Sequence, residues 1–201
     1  MIEKVLDAFG LNGKVAKYTQ FGNGLINNTW KISDTEGEYI LQKVNTDVFS
    51  NPRDICANMA MIKQYLDRIA PEYLFIGPIS TEDGDAVYEI GGSVYRLFPF
   101  VKDSATIDEV EHPIQAYQAA KQFGKFTKLL DGYNPLRLHV SIKDFHNLPF
   151  RLAQYKEALL NASNDRKERA LWAIDEINRH TGIAAEFKEI IQHKKLNLRV
   201  I

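Results

Sequence analysis

One cysteine, Cys56, stands in 201 residues. That excludes an intrachain disulfide framework and any multi-cysteine metal site within this chain. No apolar run approaches the ~20 residues that cross a bilayer as a helix. The first residues, Met1-Ile2-Glu3-Lys4-Val5-Leu6-Asp7-Ala8-Phe9, have the spacing of an amphipathic helix and not of a signal peptide. Charge of one sign is also missing: 25 Lys+Arg against 26 Asp+Glu leave a net charge of −1. Broad affinity for duplex nucleic acid or an anionic membrane needs a basic excess, so neither is an expected partner. Apolar residues are plentiful, at 45% of the chain, which is enough to build a packed core and excludes a disordered chain. The expectation is a soluble, cytoplasmic protein of one large domain or two small lobes.

The first hundred residues are punctuated like a small antiparallel sheet. Residues 15–20 and 28–33 flank a turn-rich stretch, and Asp34-Thr35-Glu36-Gly37 leads into residues 38–44. Ile55, Met59, Ile62 and Leu66 lie on one helical stripe, predicting a helix over 53–68 that Pro71 stops. Further strands are predicted at 74–79, 86–90 and 93–98, with Asp83-Gly84 and Gly91-Gly92 supplying the positive φ of tight hairpins. After Pro99 the period changes. Helices are predicted at 113–130, with Ala116, Ala119, Ala120, Phe123, Phe126 and Leu130 on one face, and at 149–161, 165–180 and 183–193. Ser163 or Asn164 would cap the third of these. The class is α+β: a β-rich lobe holding one helix over residues 1–100, then an α-helical lobe over 101–201. Leu196-Asn197-Leu198-Arg199-Val200-Ile201 alternates like a strand. A terminal strand without a turn or partner predicts a chain that stops inside a supersecondary unit, leaving the helical lobe incomplete.

Phe21-Gly22-Asn23-Gly24-Leu25-Ile26-Asn27-Asn28-Thr29-Trp30 lies between two predicted strands. Glycines there let the backbone approach a ligand, and successive N–H groups can cradle phosphate oxygens. It is neither a Walker A loop nor a dinucleotide fingerprint, since no Gly-Lys-Ser/Thr follows and the next element is a strand. A hairpin without ligand is the simplest reading of the loop alone. The order that follows is a strand (Tyr39-Ile40-Leu41-Gln42-Lys43-Val44), a helix, an antiparallel pair and an exit into helices. That order is the one found in protein-kinase-like folds.

With those residues in view, the chain resembles the N-terminal portion of the aminoglycoside phosphotransferase and choline kinase superfamily, most closely the N-acetylhexosamine 1-kinases. Three stretches carry the resemblance: Gly22 to Trp30; Tyr39 to Phe49; and Phe123-Gly124-Lys125-Phe126-Thr127-Lys128-Leu129-Leu130 with Asp144-Phe145-His146-Asn147-Leu148-Pro149-Phe150-Arg151. The resemblance implies ATP-dependent, Mg2+-assisted phosphoryl transfer to a small molecule, an amino sugar phosphorylated at its anomeric hydroxyl. It assigns Gly22, Asn23, Gly24, Asn27 and Thr29 to the phosphate loop. Phe98 to Val101, with Phe98 and Phe100, would be the hinge whose backbone holds the adenine edge. His146 would help shape the acceptor pocket.

The sequence departs from that family in three places. Where the superfamily usually carries lysine or arginine on the third strand, Gln42 stands here, with Lys43 next. Side chains alternate across a strand, so one of the two faces the phosphates. Asn58 occupies the place of the helix carboxylate, which implies a neutral Gln42–Asn58 pair. The family's His-x-Asp-x-x-x-x-Asn motif is absent: His139-Val140-Ser141 and His146-Asn147-Leu148 lack the aspartate. No catalytic or metal-ligating residue is therefore assigned within this chain. The 201 residues alone are expected to be inactive, and to self-associate through apolar helix faces left uncovered.

Elsewhere the readings are plain. Trp30 and Trp172 are expected in the core, Cys56 as a small buried hydrophobe, and Lys194-Lys195 as a solvated charge pair. Kinases of the same scaffold acting on choline, homoserine or an aminoglycoside, and a non-catalytic module binding a nucleotide or a partner, are the alternatives.

Overall fold

The computed structural model describes residues 1–193 and 196–200. Lys194-Lys195 and the last residue of the expected terminal strand lie outside the described residues. The chain divides into two compact units: Met1–Ser141 with the segment from Arg199 onward, and Ile142–Leu198. The switch from strand to helix comes at Pro99, near the expected boundary, but the first compact unit continues through its long helix.

The first unit carries a five-stranded antiparallel sheet in the order β1-β2-β3-β5-β4. The strands are β1 (Lys17–Gln20), β2 (Asn28–Ser33), β3 (Glu38–Val44), β4 (Tyr88–Ile90) and β5 (Ser93–Pro99). The β2–β3 turn closes with the Asp34 N–H donating to the Gly37 carbonyl at 2.9 Å. Gly91 and Gly92 make the β4–β5 turn with φ of 57° and 70°, a conformation only glycine adopts without steric cost.

Alternation along the strands gives the sheet two different faces. Ile32, Leu41, Tyr95 and Leu97 point one way and are buried against Val5 and Leu6 of α1 (Ile2–Ala8), with Trp30 and Tyr39 packed beside them. Each fully buried aliphatic side chain there contributes about 1.5–3 kcal/mol. The amphipathic pattern of the first residues thus finds its apolar partner.

The other face is covered toward β4 and β5 by α2 (Pro52–Ile69), which begins on proline, a residue pre-set for a first helical turn. Cys56 packs with Val87 and Val94, while Ile62 and Leu66 meet Leu130 and Tyr133 at the end of α3 (Pro113–Leu129). Phe126 stacks on Phe75 at 5.9 Å in the same cluster. Phe123, expected on that apolar face, is 70% exposed.

The second unit holds α4 (Leu148–Asn161), α5 (Asn164–Arg169), α6 (Leu171–Arg179) and α7 (Ile183–Gln192). Asn147 caps α4, accepting from the Phe150 N–H at 3.2 Å, and Ser163 caps α5. Among the described residues Ala184 is the unit's one buried residue.

Four expectations fail. The predicted 74–79 strand reduces to a single bridge from Ile79 to Leu97, in a segment where Gly77 and Pro78 interrupt regular pairing. The predicted 165–180 helix breaks at Ala170, whose φ of −103° and ψ of 7° separate α5 from α6. Trp172 is 79% exposed instead of buried. Residues 196–200 form no strand; Val200 packs on the Tyr133 cluster, and Arg199 pairs with Asp131 at 3.2 Å.

Candidate functional site

The loop between β1 and β2 begins with a Phe21 N–H to Thr29 carbonyl bond at 2.9 Å. Gly22 follows with φ of 76°, and a Cβ there would meet no atom within 4 Å. Glycine is therefore needed for its backbone freedom and not for space. Gly24 lies in open loop, and Leu25 at its tip is fully exposed. Asn27 anchors the far end: its side-chain oxygen accepts from the Asn45 N–H at 3.0 Å, tying the loop to the end of β3.

Two contacts join this loop to the segment after β5. Phe21 meets Phe100 edge to face at 5.9 Å, and the Asn23 amide donates to Asp108 at 3.1 Å. Lys31 lies 3.9 Å over the Phe100 ring and pairs with Glu38 at 2.6 Å. Phe100 is thus held from two sides. Its N–H donates to the Glu38 carbonyl at 3.0 Å and is not available to a ligand. Among the described residues, the Phe100 carbonyl and the Val101 N–H take part in no backbone pairing. Phe98 is nearly buried on β5, opposite Ile40.

The pleat separates Gln42 from Lys43. Gln42 stands opposite Thr29 and Arg96 on the face that carries Phe98, and its amide donates to the Thr29 hydroxyl at 3.3 Å. Its carbonyl oxygen accepts twice from Arg96, from Nε at 3.1 Å and from a terminal nitrogen at 2.9 Å. Lys43 points to the opposite face, lining an open hollow with Asn28, Asn45, Thr46 and Gly92. Of the two candidates, Gln42 is the one placed with the loop's Thr29.

The expected Gln42–Asn58 pair does not form. Asn58 is spent on residue 139, its oxygen accepting from the His139 N–H at 2.8 Å and its amide donating to the His139 carbonyl at 2.9 Å. The partner of Gln42 is Arg96, which the sequence reading missed. Its signal was a lone basic residue inside the apolar strand Ser93-Val94-Tyr95-Arg96-Leu97-Phe98. Beneath it, burial pushes the Cys56 thiol above its ordinary pKa, and the Arg96 guanidinium pulls it partly back.

His146 lies in the second unit, exposed, just before α4, with its ring edge to face on Phe145 at 4.8 Å. Asn147, not His146, caps that helix. On the same unit Leu148, Leu152, Tyr155, Trp172, Ile177 and Ile183 line an apolar trough of about 500 Å³. Among the described residues no group of three or more His, Cys, Asp or Glu is placed to hold a metal ion. No Mg2+ ligand is assigned among these residues, and no step is routed through it. One terminal nitrogen of Arg96 is buried without a hydrogen-bond partner.

This arrangement of an antiparallel sheet, a loop folded onto the segment after the exit strand, and helices following is the kinase-like fold. The chain matches the APH family, described as a phosphotransferase enzyme family, over residues 17–198, and it belongs to that family. Its fold is similar to that in the crystal structure of spectinomycin phosphotransferase, APH(9)-Ia, in complex with ADP and spectinomycin. The TM-score is 0.58 at 15% sequence identity, over 98% of this chain and 58% of that one. The chain thus spans 58% of the length of the phosphotransferase it matches.

Proposed function

We propose that this chain is the nucleotide-binding part of an ATP-dependent small-molecule kinase. The observation that carries the reading is the closure of the Gly22–Asn27 loop on the residues after β5, through Phe21–Phe100 and Asn23–Asp108, in a chain of the phosphotransferase family. The structurally similar spectinomycin phosphotransferase is described in complex with ADP. In this reading the Phe100 carbonyl and the Val101 N–H meet the adenine edge. Gly22, Asn23 and Gly24 lie along the phosphates, held by Asn27, with Thr29 and Gln42 beneath.

The acceptor in this reading is an amino sugar of the N-acetylhexosamine type, phosphorylated at the anomeric hydroxyl, with His146 in the acceptor pocket. The support is the resemblance of the Phe123–Leu130 and Asp144–Arg151 stretches to that branch of the superfamily. A group that takes the acceptor proton is not assigned within these residues, because the His-x-Asp-x-x-x-x-Asn pattern is absent from them. The alternative reading is a module that binds nucleotide without transfer.

Calorimetric titration with adenosine and ATP tests the first step. Weak binding, little changed by Mg2+, is expected; no binding of either compound overturns the reading. Incubating the native protein with ATP and N-acetylglucosamine, N-acetylgalactosamine, choline, homoserine or an aminoglycoside separates the rest. Formation of a sugar 1-phosphate supports the amino-sugar kinase. Phosphorylation of another acceptor replaces it with that kinase, and binding without transfer to any acceptor leaves the module.

A further inference from the structure

We propose that Arg96 on β5, aligned by Gln42, is the cation that contacts the nucleotide phosphates in this chain. The inference rests on the nucleotide reading above and names the residue that gives it affinity for phosphate.

Consider the charge first. The Arg96 guanidinium is surrounded by neutral groups: the Gln42 carbonyl oxygen, the Phe98 ring at 5.1 Å, and the Cys56 thiol. Among the described residues no carboxylate forms an ion pair with it. Asp85, which also acts on the Cys56 thiol, is taken by Arg53 at 2.6 Å, and Glu89 by the same arginine at 2.9 Å. One terminal nitrogen is buried with no partner. A half-buried cation without a counter-charge is costly unless an anion completes it.

The geometry is that of a held fork. Two of its nitrogens are fixed on one Gln42 oxygen, and Gln42 is itself fixed by Thr29. The chain Thr29–Gln42–Arg96 crosses three adjacent strands at matching register, so its orientation is set by the sheet. It also explains a neutral residue on β3. A lysine at position 42 would lie beside the guanidinium and repel it, whereas glutamine accepts from it. Other basic residues nearby are engaged or misdirected. Lys31 is paired with Glu38 and covers Phe100, and Lys43 is on the opposite face. The terminal nitrogen that donates to Gln42 keeps a second hydrogen, and through it the fixed guanidinium can donate to a phosphate oxygen.

The test compares ATP, ADP and adenosine affinities by calorimetry on the full chain and on Arg96→Gln, Arg96→Lys, Gln42→Leu and Gln42→Lys/Arg96→Gln. The expected result for Arg96→Gln is a loss of on the order of 10- to 100-fold for ATP and ADP, with adenosine within twofold of wild type. Arg96→Lys and Gln42→Leu should fall between. The double variant, which returns the cation to β3, should regain ATP binding relative to Arg96→Gln. If Arg96→Gln fails to fold, the ATP-to-adenosine ratio of Arg96→Lys and Gln42→Leu decides in its place. Wild-type ratios in every folded variant overturn this inference while the nucleotide reading stands. Equal losses for adenosine and ATP assign Arg96 a structural role and overturn it likewise. A wild-type chain that binds neither compound overturns both.

Discussion

Asn58 grips the backbone of His139 as a neighbouring strand would, accepting from its N–H at 2.8 Å and donating to its carbonyl at 2.9 Å. The two residues are 81 apart in sequence, so a single side chain on α2 fixes the segment that follows α3. Asp54, one turn earlier on α2, adds a contact to the His139 ring at 3.7 Å. Replacing Asn58 by alanine leaves two exposed backbone groups to water and should cost about 0.5–1.5 kcal/mol. Asn58→Asp keeps the acceptor and loses the donor, so its loss should be smaller. Urea denaturation of both variants checks the order; equal stability of Asn58→Ala and wild type would refute it.

Two glycines should respond to alanine for opposite reasons. Gly22→Ala meets no atom but must hold a left-handed φ of 76°, costing about 1–2 kcal/mol or forcing the loop to shift. Gly13→Ala places its Cβ on the Glu3 backbone, so α1 must move and Val5 and Leu6 lose packing, for about 1–3 kcal/mol. Amide exchange separates them. Protection should fall at Phe21 and Asn45 in the first variant and across α1 in the second.

Stability should fall on the alkaline side through Cys56. Burial raises its folded pKa above the ordinary thiol value near ~8.5. The unfolded chain then loses the proton first. The thiol's contribution is full below about pH 8.5 and is lost as pH rises toward the folded value. Cys56→Ala should cost about 1 kcal/mol at neutral pH. The wild-type advantage over this variant should shrink between pH 8 and pH 10, read by chemical denaturation at each pH. A constant difference would contradict the burial of the thiol.

Trp172, 79% exposed on α6, and Trp30, packed against the α1 cluster, should quench as two populations with acrylamide. With Phe123 at 70% and Leu171 at 58% exposure, apolar helix surface is open to a second copy. If the chain self-associates through α6, the accessible fraction should fall as protein concentration rises, in step with light scattering. A scattering increase with unchanged quenching would place the contact elsewhere.

The sheet was legible because its signals are local. β2 and β3 run over the residues that alternation and the Asp34–Gly37 turn indicate, and Gly91-Gly92 marks its hairpin. What failed depends on partners distant in sequence. Ala170 is the best of helix formers, so nothing in composition announces a break there. The residues from Leu196 alternate like a strand, yet the described ones lie as irregular chain with Val200 on the Tyr133 cluster. The same limit hid Arg96: it meets Gln42 across 54 residues, through a register that no single-strand pattern encodes. Asn58 was read at the right place on α2 but with the wrong partner, because its true contact, His139, lies beyond α3.

The two-faced sheet makes its central residues separable by phenotype. Leu41, Tyr95 and Leu97 are buried toward α1, while Gln42 and Arg96, their immediate neighbours in the chain, meet each other on the far side. On the proposed nucleotide role of Arg96, substitutions at Leu41 and Leu97 would lower abundance, whereas those at Gln42 and Arg96 would lower ligand affinity. An evolving lineage can therefore retune the polar chain by single changes on its own face without disturbing the packing behind it, because the pleat insulates one property from the other.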